Sequence, residues 1–341
     1  MKTINPIKYP GWDELLFSDP SYSFFHSSAW AKVIYDTYKY KSLYHTTIKN
    51  NKIESLIPIM EVDSLYTGKR GVSLPFSDYC EPIFQNQNNI YDYMEYLINY
   101  GKSRNWSYIE LRGGKVPSEI HPFKSYYIHN LKLSLDHNVI FRNFRSNNRR
   151  NIKKAIKNSV KTQISHAFES VEIFYKLHCI TRKRHGLPPQ PFRFFANIFN
   201  NIISKGHGTI MTAHYKGKAI SAAVYFHFGK KVIYKFGASD FRYQHLRANN
   251  LVMWEAIKWY CRNGYQKFCF GRTSPENKGL IQFKSGWNTK AKTLKYYKYH
   301  LRKNNFISIN TNSTQVTNKV FSKMPIFFLR FIGTILYPHI G

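Results

Sequence analysis

Two arginines stand where a strand-like run gives way to glycine. Arg112 closes Tyr108-Ile109-Glu110-Leu111 ahead of Gly113-Gly114, and Arg272 follows Phe270-Gly271. A strand-end arginine beside glycine can reach into a cleft and grip a phosphate or carboxylate through two parallel N–H donors. It can equally serve a structural ion pair with a nearby acid. Asp78 follows the run Gly71–Leu74, which Pro75 ends. A carboxylate there can accept a proton if burial raises its pKa, or it can close an Asx turn. The segment Phe141–Lys161 holds Arg142, Arg145, Arg149, Arg150, Lys153, Lys154, Lys157 and Lys161 without one acid. With Ser146 as its cap, the spacing predicts a helix from Asn147, with Ile152, Ala155 and Ile156 facing inward. Its outer face suits tRNA, a nucleotide diphosphate or lipid phosphate, or else forms a solvated linker.

Composition bounds these readings. A chain of 341 residues, 43% hydrophobic and 17% aromatic, has material for two domains with aromatic-rich cores. The net charge of +32 creates a field that draws polyanions such as tRNA, sugar nucleotides, lipid phosphates or an anionic membrane face. The four cysteines, Cys80, Cys179, Cys261 and Cys269, form no Cys-x-x-Cys pair, and no histidine cluster has metal spacing. Reduced, buried thiols are therefore expected. No apolar leader segment follows Met1, and no run approaches the ~20 apolar residues that span a bilayer. The expected location is the cytoplasm.

The elements that must position these groups follow from periodicity. In the first half, a helix is expected at Ser28–Tyr35, and strands at Ser42–Lys49 and Ile53–Met60 across an Asn50-Asn51 turn. A strand at Gly71–Pro75, an amphipathic helix over 90–103, a strand at Tyr108–Arg112 and another over 125–135 follow. The basic helix marks a boundary. After it come a strand at Val160–Ile164, helices at Ser170–His185 and Pro191–Ser204, and a meander of Thr209–Tyr215, Ala219–Phe228 and Lys231–Phe236. A buried helix at Asn249–Arg262 and strands at Lys267–Phe270 and Thr293–Leu301 close the set. That order resembles an acetyltransferase-type (GNAT) domain. The expectation is an α/β (α+β) chain of tandem GNAT-like domains with mixed, mostly antiparallel sheets. Residues 1–145 would form a degenerate first copy, 146–305 the second, and 306–341 an amphipathic tail.

Several segments, in order, resemble the FemAB-related acyltransferases. They are Phe25-His26-Ser27-Ser28-Ala29-Trp30, Ser73-Leu74-Pro75-Phe76-Ser77-Asp78-Tyr79, Arg149–Ala155, Phe270-Gly271-Arg272-Thr273-Ser274 and Phe283-Lys284-Ser285-Gly286-Trp287. FemAB enzymes transfer amino acids from aminoacyl-tRNA to the amino group of a peptidoglycan precursor, and relatives of this length accompany exopolysaccharide clusters. The long helical arm of tRNA-using Fem proteins has no counterpart, because 141–159 flows directly into a strand.

The resemblance implies roles. Acyl transfer passes through a tetrahedral oxyanion, which a fixed cation or donor stabilises by ~3 kcal/mol. The Phe-Lys motif makes Lys284 the leading catalytic residue, beside Phe283. Asp78 and Tyr79 would lie at the acceptor site, with Asp78 as general base or amine anchor. Arg112, Arg149 and Arg272 would bind substrate, and Tyr234 and Asn249 enter by family position. Acetyl-CoA enzymes of this fold hold pyrophosphate with a glycine-rich loop ahead of a long helix. Here that stretch is Gln244-His245-Leu246-Arg247-Ala248-Asn249, with Arg247 and Asn249 in place of small residues. The donor is therefore aminoacyl-tRNA or acyl-CoA, and the acceptor a lipid-linked or nucleotide-linked glycan or peptidoglycan precursor. An acyl-CoA-dependent N- or O-acetyltransferase of surface polysaccharide, or a non-catalytic accessory protein of a polysaccharide cluster, are the alternatives. Residues 319–340, an apolar run too short to span with Lys319, Lys323 and Arg330 and no acid, suit an in-plane membrane helix, or packing against the first domain.

Overall fold

Two asparagines make a tight turn in the first half of the chain. Asn50 and Asn51 adopt φ of 48° and 54°, left-handed values that their short polar side chains tolerate. They join Lys41–Lys49 to Lys52–Val62 in a two-residue hairpin with Lys49 opposite Lys52. The computed structural model describes residues 1–86, 90–114, 116, 119–308 and 315–341. They fall into two compact units. One comprises Met1–Tyr127, Thr293–Asn312 and Leu336–Gly341, and the other Ile128–Lys292 and Ser313–Ile335.

In the first unit the hairpin pairs antiparallel with Lys2–Ile4 on one side and Arg70–Val72 on the other. Arg70–Val72 pairs parallel with Tyr108–Arg112, which runs antiparallel to the strand Lys290–His300. The helix Ile90–Ser103 buries Leu97 in a cluster with Ile57, Ile59, Trp106 and Ile109. Gly71 is dictated by this core, since a Cβ there would lie 2.3 Å from the Trp106 ring. Glu61 is an acid buried in this unit, 2% exposed. It accepts hydrogen bonds from Arg104 (2.9 and 2.8 Å) and from the Trp106 indole (2.7 Å). Burial raises its pKa, but those donors and the charges of Arg104 and Lys41 outweigh burial and leave it below the usual carboxylate range. The strand expected at Gly71–Pro75 stops at Val72. Leu74 and Phe76 then take φ of 44° and 61°, which no ladder allows.

In the second unit, Lys161–Ser165, Gly208–Tyr215, Lys218–Phe228 and Lys231–Ser239 form an antiparallel ladder. Lys231–Ser239 then pairs parallel with Lys267–Thr273. The helix Ala248–Arg262 is mostly buried, as its apolar circumference requires. Its Tyr260 hydroxyl meets His227 Nδ1 at 3.1 Å, while His227 Nε2 faces the Gly206 carbonyl at 2.7 Å. Burial pushes His227 down to about 4.

Two details of the basic helix differ from expectation. It spans Ser146–Lys157 with Arg145 at the cap position and no side-chain cap bond, so Ser146 is its first residue. Ile152 and Ala155 are buried, but Ile156 is 56% exposed. At 100° per residue, Ile156 lies four positions from Ile152 yet beyond the edge of the narrow buried stripe. The helix expected over 191–204 runs regularly only from Phe192 to Ile198 and ends in a π turn, Phe199–Ile203.

Candidate active site

A cleft of the second unit includes the end of one of two parallel strands that stop pairing. Lys231–Ser239 and Lys267–Thr273 are bonded only over Lys231–Ile233 and Lys267–Cys269, although both run on. One cause lies in the first strand. Opposite Val224 and Tyr225 the register jumps from Phe236 to Tyr234, leaving Lys235 as the extra residue of a bulge. Tyr234 folds back over Gly237, where an added Cβ would fall 1.7 Å from its hydroxyl oxygen. Burial pushes the Tyr234 pKa up to about 12, so the hydroxyl stays protonated. The second strand bends at Gly271, whose φ is 69°.

Lys284 completes that bend. It lies in the last turn of the helix Lys278–Ser285 and is 3% exposed. Its ammonium donates to the carbonyls of Gly271 (2.9 Å) and Arg272 (3.0 Å). Its charge also bears on His129, which burial first and Lys284 second hold below the ordinary histidine value. Trp287, fully buried, packs on Phe144, Phe270 and Phe283 and fixes the chain after the motif.

The cleft itself measures about 370 Å³. The start of the helix Ala248–Arg262 lines it, with Ser239 and Asp240 from the strand end, Asn147, Asn148 and Asn151 from the basic helix, and Gln282 and Phe283 from the motif helix. Arg247 stands at the helix cap with φ 60° and gives no side-chain cap. Amide N–H groups in the first turn of a helix have no intrahelical acceptors. Asn249 accepts from the Ser221 hydroxyl at 2.5 Å and donates to Ser239 at 3.3 Å. Asn148 and Asn250, 5% and 7% exposed, are among the residues that line the cleft, and their side-chain amide nitrogens are buried without a protein hydrogen-bond partner. A buried unpaired N–H costs about 1–3 kcal/mol. The helix terminus and the side-chain amides bring N–H donors to a lining that also holds Asp240, Ser239 and the amide oxygens, and the donors suit phosphoryl or acyl oxygens.

Of the residues picked from the sequence, Asn249 and Phe283 line this cleft. Arg149, Tyr234, Arg272 and Lys284 share its unit but are not part of the lining. Arg149 is half-buried on the basic helix, and Arg272 gives its carbonyl to Lys284. Asn148 and Asn250 were not singled out. Asparagines at 147, 148 and 151 recur at helical spacing and Asn249-Asn250 open the helix Ala248–Arg262, but in a chain this rich in asparagine that pattern does not mark them.

Asp78, Tyr79 and Arg112 belong to the first unit. Arg112 is 9% exposed and bonded to Glu110 at 2.9 Å, with its Nη1 donating to the Leu74 carbonyl at 3.2 Å and its guanidinium 5.8 Å from the Tyr296 ring. It thereby braces the loop Ser73–Tyr79. The Asp78 carbonyl accepts from the Tyr296 hydroxyl at 2.6 Å. The Tyr79 ring packs edge-on against Phe25 at 5.8 Å. The loop is thus fixed from several sides around its two left-handed residues, and such strain persists only where its surroundings impose it.

The acetyltransferase (GNAT) domain family matches residues 142–285, within the second unit. No curated protein sequence matches the chain. Among solved structures it is similar to FemX, at 13% identity and a TM-score of 0.64, over 85% of this chain and 95% of that one. It is similar to a tandem GNAT protein of clavulanic acid biosynthesis, at 7% identity and a TM-score of 0.55, over 88% and 98% of the two chains. The C-terminal domain of a putative lysylphosphatidylglycerol synthetase from Agrobacterium fabrum is similar at 10% identity and a TM-score of 0.51, over 79% and 86%. At these identities the likeness concerns the fold: the chain is an α/β protein with a mixed, largely antiparallel sheet and a GNAT-like domain.

Proposed function

We propose that the chain transfers an acyl or aminoacyl group to a cell-envelope precursor and that the cleft of the second unit holds the donor. The observation that carries this is the cleft that brings the start of the helix Ala248–Arg262 together with the amide side chains of the basic helix and the motif helix. Acyl-CoA and aminoacyl-tRNA both present phosphate and carbonyl oxygens to such a surface. The glycine loop that usually grips CoA pyrophosphate is replaced by Arg247 and an Asn249 already engaged with Ser221 and Ser239. Side-chain amides would then supply what backbone N–H groups supply elsewhere. The envelope acceptor is supported by the FemAB-like motifs and by the likeness to FemX and to a protein named for making an aminoacylated phospholipid.

In the reaction, the acyl carbon's bond to sulfur or oxygen breaks as a bond to the acceptor nitrogen or oxygen forms, and the acceptor loses a proton. Asp78 is the carboxylate proposed to take it, with Tyr79 and the braced Arg112 shaping the acceptor loop of the first unit. Lys284 would act by holding the Gly271–Arg272 carbonyls, and so the strand end, in place for the oxyanion-forming step. Arg149 and the basic helix, exposed along Arg150, Lys153, Lys154 and Lys157, would attract the polyanionic donor or acceptor.

The test is thermal stabilisation of the full chain by coenzyme A and, separately, by charged tRNA, followed by transfer of a labelled acyl group from whichever binds to undecaprenyl- or nucleotide-linked precursors. Stabilisation by coenzyme A alone selects the polysaccharide acetyltransferase reading. Stabilisation by neither, with binding of a glycan fragment instead, replaces the enzyme by a binding protein.

A further inference from the structure

The helix Ile326–Ile340 is seated in the second unit by its inner side. Leu329 is fully buried, and Gly333, one turn on, lies so close to the Pro188-Pro189 segment that an added Cβ would meet the Pro189 carbonyl at 2.0 Å. Arg330 stacks over Tyr175 at 5.4 Å. Phe327, Phe328, Phe331 and Ile335 are 73%, 54%, 62% and 46% exposed. At about 100° per residue they fill one arc of roughly 100°, centred opposite Leu329 and Gly333. Three phenyl rings and an isoleucine therefore form one outward apolar face on a helix whose other side fixes it. None of the described residues covers that face.

Charge decides what does. No acid follows Glu276 in the sequence, Lys319 and Lys323 are exposed just before the helix, and the chain carries +32. A second copy would bring like charges together around the same face. An anionic lipid surface would neutralise them while taking up the rings. At ~1.5 Å per residue the 15-residue helix spans about 22 Å, short of a bilayer core of about 30 Å, and no described helix is long and apolar enough to cross one. We propose that the second unit docks in-plane on an anionic bilayer through Phe327, Phe328, Phe331 and Ile335, with the neighbouring lysines at the headgroups. This stands whether or not the acyl-transfer reading does.

The test uses the full chain and phosphatidylcholine vesicles containing about one third phosphatidylglycerol. Phe327→Ser/Phe328→Ser/Phe331→Ser should melt as the parent does, since all three rings are exposed. It should bind these vesicles about tenfold more weakly or less still, with high salt releasing the remainder. As a second reading that needs no triple variant, Phe328→Trp should show a blue-shifted emission on vesicles. The proposal fails if the triple variant binds as well as the parent, which would leave only the basic surface. It fails if Phe328→Trp emission does not move, or if the parent is a dimer that the triple variant dissociates.

Discussion

Asn250→Leu separates a ligand-binding amide from a structural one, because the two roles predict opposite signs. In the free protein Asn250 is 7% exposed and its amide nitrogen lacks a protein partner. That orphan donor costs about 1–3 kcal/mol, and leucine of similar volume removes it. Leucine is also the better helix former in the first turn of Ala248–Arg262, by a few tenths of a kcal/mol. The free variant should therefore be as stable as the parent or up to ~2 kcal/mol more stable, a rise of several degrees at this chain length. Donor binding should move the other way. One lost hydrogen bond to a phosphoryl oxygen is worth ~1.5–3 kcal/mol, a weakening of roughly 10- to 100-fold. Differential scanning calorimetry of the free chain and titration with coenzyme A and charged tRNA supply the two numbers. A variant that melts several degrees lower while binding either donor normally would show that Asn250 supports the fold, and its role in holding the donor would fall with it.

Other outcomes follow from the same contacts. Lys284→Met should lower turnover about 100-fold and let His129 titrate closer to the ordinary histidine value, read by NMR; unchanged turnover would remove Lys284 from the reaction. Glu61→Gln should cost about 1–3 kcal/mol at neutral pH. Because the folded pKa of Glu61 is depressed, its contribution is present above the usual carboxylate range and lost as pH falls through the lower folded value, so urea midpoints of parent and variant should converge in acid. Burial holds both His45 and His227 near 4, so the unfolded chain binds more protons between about 6.5 and 4. Stability should fall across that window before most carboxylates titrate, and a flat urea midpoint from pH 7 to 4.5 would contradict this.

Much of the secondary structure was readable because local rules agree with the tertiary result. The helix over 90–103 and the strand Tyr108–Arg112 occur where period and glycine place them. Asn50-Asn51 makes the turn its residue types demand. What failed locally failed for nameable reasons. The strand ends at Val72, ahead of Leu74 and Phe76, which take left-handed conformations that residue types this bulky do not announce. Periodicity finds the strand near residue 293 but carries no register, so it cannot say that Tyr296 pairs with Arg112.

The site was legible in a different way. Motifs marked where constrained residues sit, without stating what each side chain does there. Phe283-Lys284 sits beside the cleft, yet it is Phe283 that lines it while Lys284 holds two carbonyls at a glycine bend. Arg112 ends its strand beside glycine as expected, yet its guanidinium is spent on Glu110 and the loop backbone. Charged residues drew the sequence reading because charge is visible in composition, whereas the cleft is lined by amides whose importance depends on what they fail to touch. In a chain this rich in asparagine, two such residues carry no compositional signal. They become conspicuous only when burial leaves their donors without acceptors, and that is a property of the folded state alone.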